Sequence, residues 1–184
     1  MASVVIVGDG PGGLSAALFL AKNGQQVTVF GQDKTAVHYA YLYNYLGIPE
    51  ISGSDFQKTA RDQVERHGAE LVEDEVTSVE AGERFRVVTA EGRTVEADYL
   101  ILTEGKNPKL ARSLGLAETP EGAIAVDSEC RSSLDRVYVV GRSIRPNRSQ
   151  VVISAGDGAK AALDILAREE GKDVQDWDTP PKSS

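Results

Sequence analysis

The sequence predicts an α/β fold: a central parallel sheet flanked by helices, with a small β-meander attached. Three observations carry this. Val4-Val5-Ile6-Val7 is a short apolar run, β-branched throughout, that stops on Gly8 and passes straight into a helical pattern. A second β-rich run, Gln26 to Phe30, follows at the length of a βαβ unit. Further apolar runs at Tyr99 to Leu102 and Arg136 to Val140 are set among helical segments, while shorter runs between residues 69 and 95 read as a meander.

The first turn carries a chemical signature as well as a structural one. Gly8, Gly10 and Gly13 match G-x-G-x-x-G, with Pro11 and Gly12 inside it. In such a turn the first glycine makes the tight bend, the second lets a pyrophosphate approach the backbone, and the third lets helix pack on strand. The helix is expected from Leu14 to Asn23, with Gly24 ending it. Its N-terminus offers unpaired N–H groups and a positive dipole end to a phosphate. Dinucleotide binding is therefore the expectation for this stretch.

Composition excludes several classes of function. The chain has 184 residues, 41% hydrophobic and 26% charged, which fits one globular domain with a proper core. A net charge of −8 argues against nucleic acid and anionic membrane surfaces as partners. No apolar run approaches the ~20 residues of a membrane span. Met1-Ala2-Ser3 leads directly into the first strand, so no signal peptide is expected and a cytoplasmic location is the default. The single cysteine, Cys130, rules out an intrachain disulfide, a C-x-x-C motif and a cysteine zinc cluster, and no metal site is expected.

Taken in order, the chain next reaches Gly31-Gln32-Asp33-Lys34, where nucleotide-binding units place an acid for the ribose hydroxyls. That position falls on or beside Gly31; Asp33 either reaches back to it or is a solvated turn residue. Tyr39, Tyr41, Tyr43 and Tyr45, spaced by two, share one face of an extended segment. They either wall a ring-shaped ligand or pack on the body, and packing is the expectation. His38 beside them is expected to be structural or solvated rather than catalytic. Ser54-Asp55-Phe56-Gln57 reads as a capping box opening an amphipathic helix, with Phe56, Ala60 and Val64 on its buried face and an end near His67-Gly68.

Strands are expected at Ala69 to Val72, Val76 to Glu80, Phe85 to Thr89, Thr94 to Val95, Tyr99 to Leu102, Ile124 to Val126 and Arg136 to Val140. Gly82 and Glu91-Gly92 mark the turns of the meander. A short helix is expected from Asn107-Pro108 through Leu114, and the last helix from Gln150 to Arg168. Gly156 and Gly158 each cost that helix roughly 1 kcal/mol, so packing or a close ligand is expected to require them. Asp157 between them is either a polar contact or a solvent-facing residue, and the latter is the expectation. Residues 1–170 form one expected domain, and 171–184 an expected flexible tail.

Several motifs in this order resemble the flavin-binding half of the thioredoxin reductase-like flavoprotein disulfide reductases, from Ser3 to Leu166. Gly8-Asp9-Gly10-Pro11-Gly12-Gly13 resembles the FAD pyrophosphate loop of that family. Asn44-Tyr45-Leu46-Gly47, Ser52-Gly53 and His67-Gly68-Ala69-Glu70 resemble its next block. Thr103-Glu104-Gly105 resembles its second glycine motif. Arg136 to Gly141 and Gln150 to Gly156 resemble its terminal flavin-binding segment. The resemblance implies a Rossmann-like FAD-binding domain with FAD as cofactor and a homodimer through it. It implies cofactor contacts from Gly8, Gly10, Pro11, Gly12, Gly13, Asp33, Asn44, Val76, Thr103, Gly105, Gly141, Arg142, Gln150 and Val151. It also implies that the last helix points its N-terminus at the flavin ring, where its dipole favours a reduced, anionic flavin.

The chain departs from that family in defined places. About thirty residues join Gly105 to the terminal segment, too few for the NADPH domain inserted there in thioredoxin reductases. There is no second glycine fingerprint and no C-x-x-C, so this chain alone cannot run the family's dithiol mechanism. Glu104 interrupts the usual A-T-G, and Arg142 stands where the family has an aspartate on the ribityl chain. Arg142 is either a contact for a phosphate or carboxylate or a surface residue. Cys130 is either inert or, if it faces the flavin, a thiol assisted by Arg131. The layout resembles single-domain thioredoxin reductase-related proteins. The function expected is an FAD oxidoreductase fed by NAD(P)H or a protein donor, and the alternative is a non-enzymatic electron-transfer module that needs a partner protein. An NAD-binding protein without flavin is disfavoured by the terminal segment. No catalytic residue is identifiable from the sequence.

Overall fold

The computed structural model describes residues 1–180. The chain opens with β1 (Ser3–Val7), α1 (Pro11–Lys22) and β2 (Gln26–Phe30). A short strand pair, β3 (Tyr41–Leu42) and β4 (Ile51–Ser52), leads into α2 (Gly53–Arg66) and β5 (Glu70–Val72). The meander is β6 (Val76–Glu80), β7 (Phe85–Thr89) and β8 (Thr94–Ala97). Then come β9 (Tyr99–Leu102), α3 (Lys109–Ser113), β10 (Val137–Val139) and α4 (Val151–Glu170).

The five-stranded sheet has the order β10-β9-β1-β2-β5, and its pairings are all parallel. Its strands are buried on both faces, which is why they read as continuous apolar runs rather than alternating ones. Alternate residues serve two cores. Val4, Ile6, Val29, Ile101 and Tyr138 meet α1 and α4 on one face. Val5, Val7, Phe30, Leu100, Leu102, Val137 and Val139 meet the meander and α3 on the other. Full burial of each such aliphatic side chain is worth roughly 1.5–3 kcal/mol. That exceeds the helix-propensity cost of the glycines in α1 and α4, about 1 kcal/mol each.

Those glycines let the two helices touch backbone to backbone. A Cβ on Gly158 would lie 2.0 Å from the Gly12 carbonyl oxygen. Gly156 has no atom within 4 Å of such a Cβ among the described residues, so packing requires Gly158 and not Gly156. Asp157 is buried and paired with Arg145, not turned to solvent as expected. The side chain of residue 157 therefore points back into the loop that precedes α4.

Other expectations shift for similar reasons. Strand β10 is shorter than the run from Arg136, because Arg136 takes φ +61°. Ile124 to Val126 makes only an isolated bridge, Glu118 with Ile124. Helix α2 starts earlier than Ser54. Its N-cap is Ser52, whose Oγ accepts the Asp55 N–H at 3.1 Å and donates to the Asp55 carboxylate at 2.6 Å. The tyrosine segment is not one extended face packed on the body. A 3-10 turn at Ala36–Tyr39 breaks it, and Tyr39, Tyr41 and Tyr43 are exposed. Beyond α4, Val174 packs against the core and Lys22 holds Asp176 at 2.8 Å, while residues 181–184 of the expected tail lie outside the described residues.

Candidate functional site

One open cleft of about 1150 Å³ lies across the carboxyl ends of the parallel strands. Its floor is built by Gly8 after β1, Gly31 after β2, Thr103 after β9 and Gly141 after β10. This is the edge of an open α/β sheet where ligands bind, at the point where strand order reverses around β1. Gly8 turns the chain there with φ +106°, and a Cβ on it would strike the Thr103 carbonyl oxygen at 2.5 Å.

Two helices open onto the cleft with bare N-termini. Helix α1 has Gly10 as its N-cap, Pro11 in its first turn, no side-chain cap and no acid in its first turn. Helix α4 has Gln150 as its N-cap and likewise neither a cap bond nor an early acid. Both leave orphan N–H groups and a positive dipole end, the chemistry that holds diphosphate or a developing negative charge. At Gly10 a Cβ would meet only Thr35 Oγ1 at 3.4 Å, so the space above it is open. A cradle of this kind suits a pyrophosphate, and at about 1150 Å³ the cleft exceeds the usual size of a small-molecule site, roughly 300–1,000 Å³.

Of the residues named from the sequence, Gly8, Gly10, Pro11, Gly12, Asn44, Val76, Thr103, Gly105, Gly141, Arg142, Gln150 and Val151 all line this cleft. Asn44 donates to Gln150 Oε1 at 3.0 Å and ties the tyrosine segment to the start of α4. Gly13 lies behind the cleft, where a Cβ would come within 2.1 Å of the Gly8 carbonyl oxygen. Asp33 lies off the lining. Its carboxylate meets His38 Nε2 at 3.0 Å, and His38 Nδ1 meets Ser54 Oγ at 3.0 Å. Arg142 is half-buried in the cleft, not a surface arginine, and its Nε is enclosed without a partner among the described residues.

Glu104, the departure from the A-T-G pattern, has a local role. Its carboxylate accepts the Leu110 N–H at 2.7 Å and the Ala111 N–H at 3.0 Å, and so closes the N-terminus of α3. Burial raises its pKa above the ordinary value, against the pull of those amides. Cys130 is buried at the other core, with a thiol pushed up to about 11 by desolvation first and then by the nearby Asp157 charge. It offers no thiolate near neutral pH, and Arg131 instead binds Asp164, its Nε donating at 2.7 Å.

Sequence reasoning missed Asp9, Gln57 and Arg61. Asp9 lines the cleft and is buried; Gln57 Nε2 donates to its carbonyl at 2.6 Å, and Arg61 pairs with its carboxylate. Gln57 and Arg61 are four apart on α2, so they share one face, and that spacing was the available signal.

Comparison with known proteins agrees with this geometry. Residues 2–50 and 45–159 match the family model described as pyridine nucleotide-disulphide oxidoreductase. A thioredoxin reductase of Streptomyces clavuligerus is 32% identical over 172 residues, 90% of this chain and 50% of that protein. One from Spironucleus barkhanus is 28% identical over 174 residues, 92% of this chain and 54% of that protein. The chain thus spans about half the length of the curated relatives it matches. A solved thioredoxin reductase from Gloeobacter violaceus shares the fold, with TM-score 0.85 at 18% identity, covering 97% of this chain and 99% of that one.

Proposed function

Because this chain belongs to the pyridine nucleotide-disulphide oxidoreductase family, we propose that it is a flavoprotein that binds FAD in the cleft and works as an oxidoreductase. The observation that carries the reading is the convergence of two uncapped helix N-termini on one cleft beside an open glycine turn.

In this reading the Gly8–Gly13 turn and the first amides of α1 hold the diphosphate. Thr103 and Gly105 bound the middle of the cleft, and the Asn44–Gln150 bond fixes the entrance to α4. The Val151 end of α4 presents its amides and dipole to the pyrimidine edge of the ring, which favours negative charge there. Bound FAD would supply the hydride and electron chemistry, and the protein would supply placement and field. Arg142 adds a fixed positive charge to the same wall, in reach of a phosphate or carboxylate.

Electrons come from NAD(P)H docking on the cleft or from a protein donor. The chain has a single cysteine, and that cysteine is buried, so a dithiol relay within this chain is not part of the reading. A homodimer in the cytoplasm completes it. No helix among the described residues is long and apolar enough to cross a membrane.

The test is the absorption spectrum of the purified protein with the released cofactor identified, then anaerobic mixing with NADH or NADPH. A flavin band that bleaches with either donor supports the oxidoreductase. A stable flavin band that neither donor bleaches leaves an electron-transfer module fed by a partner protein. A colourless protein that takes up no FAD overturns both.

A further inference from the structure

The ribose-binding acid of a nucleotide-binding βαβ unit belongs at the end of the second strand. In this chain β2 ends at Phe30 and is followed by Gly31, which has no side chain to offer. The space is nevertheless filled. A Cβ built on Gly31 would fall 2.3 Å from Asp9 Cγ and 2.5 Å from Asp9 Oδ1. The carboxylate of Asp9, on the glycine turn, thus sits where the side chain of a β2-terminal acid would begin.

The Asp9 side chain is held in place by one oxygen only. Oδ2 accepts the Asp33 N–H at 3.0 Å and the Arg61 guanidinium. Gln57, itself fully buried, anchors the Asp9 carbonyl at 2.6 Å. Oδ1 accepts no hydrogen bond among the described residues, and it is not one of the sealed, unpartnered polar atoms. Asp9 lines the cleft, so Oδ1 is a spare acceptor of a rigidly held carboxylate at the adenosine end of the site.

We propose that Asp9 Oδ1 accepts a ribose hydroxyl from the adenosine half of the bound nucleotide, taking over from the glycine turn the role that a β2-terminal acid otherwise plays. This rests on the proposed FAD reading and names the group that selects the nucleotide. It makes the site one for an unphosphorylated ribose. A 2′-phosphate would face the Asp9 carboxylate, and Arg61 is already committed to Asp9 and, at 3.0 Å, to Glu73. The arrangement also explains Gly31, since no other residue fits beside the Asp9 carboxylate.

The experiment titrates the full chain with FAD, ADP, 2′,3′-dideoxy-ADP and 2′-phospho-ADP. In the wild type, ADP is expected to bind roughly tenfold or more tightly than the dideoxy and the 2′-phosphorylated compounds, the scale of a hydrogen bond to a charged acceptor. In Asp9→Ala that preference disappears and FAD affinity falls by a similar factor. In Asp9→Gly/Gly31→Glu, where the acid moves back to the strand end, the preference returns. Equal wild-type affinities for ADP and dideoxy-ADP overturn the proposal without using any variant. An Asp9→Ala protein that weakens both equally overturns it too, because that is the signature of a structural role. A wild type that binds ADP with the ribose preference but no FAD would sink the flavin reading alone.

Discussion

Gly158 on α4 rests directly on the Gly12 carbonyl of α1, at a distance where a Cβ would come to 2.0 Å of the oxygen. This contact ties the two helices whose N-termini open onto the cleft, so the spacing of the site depends on two missing side chains. Gly158→Ala is expected to destabilise the fold by about 2–3 kcal/mol, the upper range of overpacking costs. Gly156→Ala is expected to stabilise it by up to about 1 kcal/mol, since the same substitution there meets no neighbour and improves helix propensity. Urea midpoints of the two variants should move in opposite directions; movement in the same direction would contradict the crossing geometry.

The glycine turn divides in the same way between scaffold and ligand. Gly10 has extended dihedrals, φ −73° and ψ 179°, and open space above it, so Gly10→Ala should leave stability within about 0.5 kcal/mol. If FAD binds as proposed, its affinity should fall at least tenfold, because the methyl group would stand in the path of the diphosphate. Gly13→Ala should unfold or strongly destabilise the chain, since its Cβ meets the Gly8 carbonyl at 2.1 Å. Thermal melts and flavin titration together separate the two effects.

Cys130 should not react with a thiol reagent at pH 7–8 in the folded protein. Its thiol is pushed up to about 11 and the residue is buried. One thiol per chain should appear on adding denaturant. Rapid labelling of the native protein would show instead that the thiol is exposed and ionised.

Asp164 and Glu104 should shape the acid side of the stability curve with opposite signs. Burial works against the charge of Asp164, but its bonds to Arg131 and to the Tyr138 hydroxyl, at 2.6 Å, and the charges of Arg131 and Arg168 outweigh it, and its pKa lies below the ordinary value. The folded state therefore binds fewer protons there than the unfolded one. That stabilisation is complete above the ordinary aspartate value of 3.8 and is lost as pH falls through the lowered one. Asp164→Asn should cost about 1.5–3 kcal/mol at pH 7 and progressively less as pH falls below 3.8.

Glu104 is raised by burial, so its contribution is complete below the ordinary value of 4.5 and is lost as pH rises through the raised one. Glu104→Gln should remove this decline while keeping one acceptor for the α3 amides. Denaturation midpoints from pH 2 to 7 check both, and a Glu104→Gln curve parallel to the wild type would refute the assignment.

Much of the frame was legible in the chain itself. Strands β2, β6, β7 and β9 fall on the residues their patterns indicate, because a strand buried on both faces or turned by glycine leaves a local signature. The glycine turn and the terminal segment also marked the residues around the cleft, since backbone approach restricts residue type at fixed spacing. What the chain could not display is which partner a polar side chain meets across the fold. Asp157 looked solvent-facing until Arg145 folded back onto it. Tyr39, Tyr41 and Tyr43 looked like packing groups but are exposed, while Tyr45 does pack, on Phe56. The acid beside Gly31 comes from Asp9, held by Gln57 and Arg61 about fifty residues away. Local periodicity reports which face of an element is apolar; the meeting of charges distant in sequence is set only when β1, β2 and α2 pack together.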